Sequence, residues 1–201
     1  MKILIVAAMP VELKAIKEWI KSANLKTNLN IDYLCCGIWN YDTISSLENY
    51  LTKNNEPTFI FNIWICGYRN INNEVKSDPI QVASVINIHT EKELIVPPFL
   101  KIAPLKTCFS GENVIYQKPE FNKIWITNDE MFFDMESRWI EFIASKYKLP
   151  RLILKIPFDF IWDKSLWLEK TKQMDYVWDL LKNLGYHDYL NKILDWINKQ
   201  I

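Results

Sequence analysis

Apolar and polar residues follow one another along this chain in blocks that predict strands and helices in turn. Residues 2–8, KILIVAA, form a continuous apolar run of strand length, which is typical of a strand buried on both faces. Pro10 then suits the first turn of a helix, and Leu13, Ile16 and Ile20 follow at helical spacing. The opening of the chain therefore predicts a β-strand followed by an amphipathic helix.

The same alternation predicts further elements along the rest of the chain. They are a strand over 31–38, a helix carrying Ile44, Leu47 and Leu51 that stops before Pro57, a strand over 58–67, short β-prone runs between about 75 and 127, a helix over 135–148 and a strand over 151–158. The segment from about residue 164 is predicted to be helical, with an amphipathic stripe at Leu190, Ile193, Leu194 and Ile197. We therefore expect one α/β domain over residues 1–201, with a central mixed, mostly parallel sheet flanked by helices.

Charge and composition narrow the classes of partner. The 24 Lys and Arg residues equal the 24 Asp and Glu residues, so the balance favours neither nucleic acid nor an anionic membrane as a partner. The longest apolar runs are too short to span a bilayer, and the N-terminal residues lack the features of a signal peptide. We expect a cytoplasmic protein that acts on a small molecule.

The cysteines do not have the spacing of a metal site. Cys35 and Cys36 are adjacent, Cys66 and Cys108 are isolated, and neither histidine lies near a second candidate ligand. All four cysteines lie in or beside apolar runs, so they are predicted to be buried free thiols in a reducing compartment. We expect no metal and no other cofactor.

Carboxylates stand at the ends of several predicted strands. Glu12 follows the first strand, Gly67 closes the run 58–67, and Asp159 ends the strand that begins at Arg151. Glu136 enters a helix one short connection before that same strand. Parallel sheets bind ligands at the carboxyl ends of their strands, so these three carboxylates are predicted to meet at one edge of the sheet.

Each carboxylate also has a structural interpretation. Glu12 would complement the positive end of the first helix, and Asp134 would cap the helix that follows it. Glu136 shares a helix face with apolar residues, so it must find a partner, because burying an unpaired charge is costly. Asp159 lies between two phenylalanines, an apolar setting that favours a protonated carboxyl.

Five short segments share the order and approximate spacing of the signature segments of one protein superfamily. They are MKILIVAAMPVE (1–12), NIWICG (62–67), SGENVI (110–115), DMES (134–137) and KIPFD (155–159). Together they resemble the nucleoside phosphorylase and nucleosidase superfamily, nearest the nucleosidases acting on methylthioadenosine and S-adenosylhomocysteine and the futalosine hydrolases. The resemblance covers roughly residues 1–160 and implies a nucleoside phosphorylase-like fold.

The resemblance implies hydrolysis of the N-glycosidic bond of an adenosine- or inosine-type nucleoside by water. Asp159 would protonate the departing purine at N7, and Glu12 would be the general base that activates water. Glu136 would accept hydrogen bonds from the ribose 2′- and 3′-hydroxyls, and Met135 would pack against the sugar. An oxocarbenium-like transition state needs this combination of an acid, a base and a sugar contact.

The resemblance also implies the remaining substrate contacts and the assembly. Cys66 and Gly67 belong to the strand-end segment of the site, and Val114 and Ile115 to the segment that lines the base pocket. Members of this superfamily usually complete the pocket with a residue from a partner chain, and this chain is rich in aromatic residues, so a homodimer is expected.

The chain departs from the superfamily pattern at several of these positions. Trp64 stands where a glycine is usual, Val114 replaces a phenylalanine, Lys155 an arginine, and Phe158 a serine or asparagine. These departures leave a non-catalytic nucleoside-binding homologue as an alternative. A phosphorylase of the same fold is the other alternative, but it would need a glycine-rich phosphate loop after the first strand, and AAMPVE has no glycine.

Overall fold

A computed structural model describes residues 2–22, 30–37, 40–54, 58–70, 78–97, 100–112, 129–160, 191–192 and 195. Its strands and helices, in chain order, are β1 Lys2–Ala7, α1 Pro10–Ser22, β2 Asn30–Cys35, α2 Asn40–Lys53, β3 Thr58–Asn70, β4 Ile80–Asn87, β5 Glu93–Ile95, β6 Leu105–Ser110, β7 Glu130–Asp134, α3 Ser137–Lys146 and β8 Arg151–Phe160. The predicted alternation of strands and helices is confirmed over these residues. Of the predicted C-terminal helical segment, residues 191–192 and 195 are helical and the rest lies outside the described residues.

The eight strands form one mixed sheet with the order β2-β1-β3-β7-β6-β4-β5, and β8 pairs with both β3 and β4. The parallel pairs are β1–β2, β1–β3, β3–β8, β4–β6 and β6–β7, and the antiparallel pairs are β3–β7, β4–β5 and β4–β8. The predicted mixed, mostly parallel sheet is therefore confirmed. Because β3, β7, β6, β4 and β8 pair in a closed circuit, these five strands form a ring.

The two faces of the sheet bury separate hydrophobic clusters. Along β1, Ile3 and Ile5 point into the cluster that helix α1 covers, while Leu4 and Val6 point into the cluster covered by α2 and α3. This alternation follows from the two-residue period of a strand, which sends successive side chains to opposite faces. Helices thus cover both faces of the sheet, as the continuous apolar run in β1 indicates.

The structure corrects two strand predictions near the candidate site. Strand β3 does not end at Gly67 but continues to Asn70, because residues 67–70 pair with β7. Strand β7 itself was missed, since its sequence EMFFD runs directly into the residues that precede a helix. The predicted helix over 135–148 begins at Ser137 and ends at Lys146.

The cysteine prediction holds for three of the four residues. All four are free, and Cys36, Cys66 and Cys108 are buried, but Cys35 is exposed. Cys35 is the last residue of β2, which forms an edge of the sheet, so part of its surroundings is solvent. In the part of the chain that the structure describes, no helix is long and apolar enough to cross a membrane.

Candidate active site

The candidate site lies at a gap along one edge of strand β3. Strand β1 pairs with this edge as far as Val6 and Asn62, and β7 joins the same edge only at Phe133 and Gly67. Between these pairs, residues 63–66 have no strand partner on that edge among the described residues. The carboxyl ends of β1 and β7 both point toward this gap. Glu12 follows β1 and Glu136 follows β7.

The side chain of Glu12 is held at the start of helix α1 by two backbone N–H groups that precede the helix. Its Oε2 accepts hydrogen bonds from the backbone N–H groups of Ala8, at 2.7 Å, and Met9, at 3.0 Å. The residue is 1% exposed. Burial, followed by the negative charge of Glu136, raises the pKa of Glu12 to about 8, although the two backbone hydrogen bonds oppose this rise. The expected helix-start role is present, and the same carboxyl is set to exchange a proton near neutral pH.

Glu136 is the second buried carboxylate of the gap. It caps the backbone of α3 at its N-terminus, where its carbonyl oxygen accepts from the N–H groups of Trp139 and Ile140. Burial raises the pKa of Glu136 to about 7, with a further contribution from Asp134, while Lys155 acts in the opposite direction. Met135, beside it, packs against the small cluster that includes Phe109 and Phe133.

Lys155 is a buried cation, although from the sequence it was recognised only as a departure from the superfamily pattern. It lies on β8, is 1% exposed, and its Nζ is 2.7 Å from Asp134 Oδ2 and 3.7 Å from Glu136 Oε2. Burial alone would lower the pKa of Lys155, but Asp134 and Glu136 raise it above its ordinary value. A lysine inside the apolar run RLILKIPF was the available signal, because a buried lysine needs a carboxylate partner.

Pairing of β3 with β8 brings the backbones of Cys66, Gly67 and Asp159 close together. Asp159 of β8 is in register with Gly67 of β3, directly after an irregularity in the pairing at Cys66 and Gly67. Gly67 pairs with Phe133 on its other edge, so β7, β3 and β8 meet at this point. The side chain of Asp159 lies outside what the structure describes, as do Val114 and Ile115.

Three polar atoms around the gap are buried and have no hydrogen-bond partner within the described part of the chain. They are Asn62 Oδ1, Trp64 Nε1 and Ser110 Oγ. The amide nitrogen of Asn62 donates to the carbonyl of Val6 at 2.9 Å, so Asn62 holds the last residue pair before the gap. Ser110 is in register with Asp134, at the carboxyl end of β6. Buried polar atoms without partners are rare, and they are found where a ligand or water completes the site.

Trp64 belongs to the core and not to the gap alone. Its side chain is 6% exposed and packs in the cluster with Leu13 and Ile16 of α1. The ring therefore fills volume between the sheet and α1. Among the described residues, no group of three or more His, Cys, Asp or Glu side chains is arranged to hold a metal ion.

The arrangement suits proton transfer next to a polar, uncharged ligand. Glu12 and Glu136 lie close enough for the charge of one to raise the pKa of the other, and Lys155 and Asp134 form an ion pair beside them. With every group ionised, three buried carboxylates would face one ammonium. The site therefore retains protons near neutral pH, so its carboxyls can gain and lose protons in the pH range where a general base works.

Comparison with solved structures identifies the fold. Over 98% of this chain and 95% of the other, the structure matches the apo form of 5′-methylthioadenosine nucleosidase from Arabidopsis thaliana with a TM-score of 0.74 and 15% identity. It matches a mutant MTAN from Helicobacter pylori, which holds 5′-methylthioadenosine in its active site, with a TM-score of 0.72 and 12% identity over 96% and 98% of the two chains. For an MTAN structure from Chlamydia trachomatis, the TM-score is 0.65 at 16% identity over 95% and 98%.

The chain therefore shares the fold of these nucleosidases, which is the nucleoside phosphorylase-like fold that the five sequence segments imply. At 12–16% identity these similarities establish the fold. No protein-family model and no curated protein sequence matches the chain.

The raised pKa of Glu12 predicts a pH-dependent cost of burying this carboxyl. The unfolded chain releases the Glu12 proton above its ordinary value of 4.5, whereas the folded protein keeps it up to about 8, so the stability of the parent falls as pH rises through this window. Glu12→Gln lacks this proton but keeps an oxygen that accepts from Ala8. We expect the stability of the variant relative to the parent to increase by up to about 1.4 kcal/mol per pH unit across the window.

Urea unfolding at several pH values between about 5 and about 8 measures this difference. Glu93→Gln, at an exposed position on β5, is the matched control and is expected to run parallel to the parent. Parallel curves for Glu12→Gln and the parent would show that Glu12 ionises in the folded protein as it does in the unfolded chain.

Proposed function

We propose that the protein is a purine nucleosidase, which hydrolyses the N-glycosidic bond of an adenosine- or inosine-type nucleoside with water. The observation that carries this proposal is the pair of buried carboxylates, Glu12 and Glu136, at a gap between strand ends. The fold is shared with a nucleosidase that holds 5′-methylthioadenosine in its active site. Two carboxyl groups with raised pKa in one site match a reaction that moves a proton beside a sugar.

The proposed reaction assigns one role to each carboxyl. Water adds to the anomeric carbon of the ribose and gives a proton to Glu12, which must be ionised at that moment. The bond between the anomeric carbon and purine N9 breaks, its electron pair goes to the base, and Asp159 donates a proton to N7. Glu136 accepts hydrogen bonds from the 2′- and 3′-hydroxyls. The base then leaves as a neutral molecule, which lowers the barrier to departure.

The proposal assigns the other substrate contacts to residues beside these carboxyls and to the segment of the base pocket. Met135 packs against the sugar, and Cys66 and Gly67 form the strand segment beside the Asp159 backbone. The proposal assigns Val114 and Ile115 to the base pocket. The packing of Trp64 in the core beside α1 favours a catalytic protein over a non-catalytic nucleoside-binding homologue with a remodelled pocket.

A nucleoside panel tests the function directly. The purified chain is incubated with adenosine, inosine, 5′-methylthioadenosine and S-adenosylhomocysteine, and free base and free sugar are followed by chromatography. We expect release of base from at least one nucleoside at equal rates with and without inorganic phosphate. Release that depends on phosphate would identify a phosphorylase, and binding of a nucleoside without any release would identify a non-catalytic homologue.

Asp159→Asn tests the assignment of the acid. Asparagine is nearly isosteric and still forms hydrogen bonds, but it cannot donate the proton that the departing purine needs. We expect turnover to fall by about 10²–10⁴ while the affinity for the nucleoside, measured by calorimetry, changes little. Asp78→Asn, on an exposed residue before β4, is the control. Near-normal turnover by Asp159→Asn would remove Asp159 from the mechanism.

We further propose that the chain works as a homodimer in the cytoplasm. Large aromatic side chains remain exposed on the helices, at Tyr41 (80%) of α2 and Phe142 (46%) of α3, and such residues are enriched at interfaces. The buried free thiols suit a reducing compartment. Sedimentation at micromolar concentration is expected to give twice the chain mass of 24.0 kDa, and a mass of one chain would overturn the dimer.

A further inference from the structure

Lys155 is held in place by the carboxylate of Asp134, which also binds the start of helix α3. Asp134 ends β7 and accepts hydrogen bonds from the N–H of Ser137, at 3.1 Å to Oδ2, and from the Ser137 hydroxyl. These contacts tie Asp134 to the first residue of α3, so its position does not depend on a ligand. The 2.7 Å contact from Lys155 Nζ to Asp134 Oδ2 then fixes the ammonium group at the carboxyl end of β7.

The contact from Lys155 to Glu136 is of a different kind. At 3.7 Å the Nζ of Lys155 is too far from Glu136 Oε2 for a good hydrogen bond, but it is close enough for a strong charge interaction in a buried site. Lys155 therefore favours the ionised form of Glu136 without occupying a hydrogen-bond position on its carboxylate. An ionised carboxylate accepts only, whereas a protonated one also carries a donor, so ionisation suits Glu136 to two hydroxyl donors.

We propose that Lys155 is a positioning residue whose charge, anchored by Asp134, favours the ionised form of Glu136 and orients its carboxylate to accept the two sugar hydroxyls. This inference rests on the proposed function. The titratable groups that interact with Glu136 come from four elements or their ends, and they are Glu12 at α1, Cys36 after β2, Asp134 on β7 and Lys155 on β8. Cys108 of β6 interacts with Asp134 and Lys155. Of these, Lys155 is the cation, so the charge state of Glu136 depends on it.

A stability cycle tests the charge coupling without any ligand. The variants are Lys155→Met, Glu136→Gln and the double variant, each unfolded with urea near neutral pH. In the Lys155→Met background, Glu136→Gln is expected to raise the urea midpoint, because it removes a buried carboxylate that has lost its counter-charge. In the parent, the same change is expected to raise the midpoint by less, because Lys155 already offsets part of the cost of ionising the buried Glu136. An identical shift in both backgrounds would show that Lys155 only fills space.

The cycle remains decisive if Lys155→Met does not fold. A folded double variant would then support the coupling, and an unfolded double variant would overturn it. Lys106→Met is the matched control, because Lys106 also pairs with a carboxylate, Glu130, at 2.7 Å but lies away from the gap. Glu136→Gln is expected to have the same effect in the Lys106→Met background as in the parent.

A binding experiment then tests the connection to the sugar. Calorimetry with 5′-methylthioadenosine and with adenine is done in the Asp159→Asn background, where slow turnover leaves the nucleoside intact. Lys155→Met is expected to weaken nucleoside affinity by about tenfold or more, with the larger loss at lower pH, and to change adenine affinity by less than about twofold. Lys155→Arg, which keeps the charge, is expected to restore most of the nucleoside affinity. Equal losses for nucleoside and base would overturn the inference.

The two experiments separate this inference from the proposed function. If the parent binds and cleaves no purine nucleoside, the proposed function fails, and the stability cycle still decides whether Lys155 controls the charge of Glu136. If the parent cleaves a nucleoside but the cycle shows no coupling and Lys155→Met binds nucleoside normally, the role of Lys155 fails alone.

Discussion

The candidate site is organised by one constraint, which is that buried acids outnumber buried bases at one place in the sheet. Glu12, Asp134 and Glu136 are all buried there, and Lys155 is the cation that faces them among the described residues. Burial of charge without full compensation is costly, and proteins keep it where a ligand or a proton completes the balance. The raised pKa values of Glu12 and Glu136 are the direct result, since each carboxyl reduces the cost by retaining its proton.

A second buried ion pair in the same protein shows what a purely structural arrangement looks like. Arg151 donates to both carboxylate oxygens of Glu141, with Nε at 2.7 Å from Oε2, and Ser145 completes the network. Here one cation meets one anion, and donors and acceptors match on both sides. The gap beside β3 has the opposite character, because its acids outnumber its base and polar atoms of Asn62 and Ser110 find no partner in the described ranges. This contrast distinguishes a candidate active site from a purely structural ion pair.

The sequence predicted the framework because local patterns determine it. The apolar run of β1, Pro10 and the helical spacing of Leu13 and Ile16 specify β1 and α1 within a residue or two. Strand β7 escaped prediction because EMFFD is too short for a clear period and adjoins a helix start. The extension of β3 to Asn70 was missed because it depends on pairing with β7, and at Gly67 and Tyr68 also with β8, and local patterns do not encode such pairing.

The sequence predicted individual residues of the site but not which buried acid and base pair with each other. Glu12 and Glu136 stood out from their positions and from the resemblance, whereas Lys155 was recognised only as a substitution. Its partner Asp134 lies on β7, which pairs with the edge of β3 opposite to β8, and no local pattern encodes that arrangement. A lysine within an apolar strand indicates that a partner exists, but the tertiary structure is needed to identify it.

The most direct test of this account is a titration of the glutamate carboxyl groups by ¹³C NMR in the ligand-free protein. The account predicts two glutamate signals with midpoints of about 7 and about 8, the first absent from Glu136→Gln and the second from Glu12→Gln. It also predicts that Glu136→Gln moves the Glu12 midpoint to lower pH, because the charge of Glu136 raises it. Titration of every glutamate carboxyl below about pH 5.5 would contradict the account, since carboxyls with ordinary pKa values would mean that the gap holds no excess of buried acid.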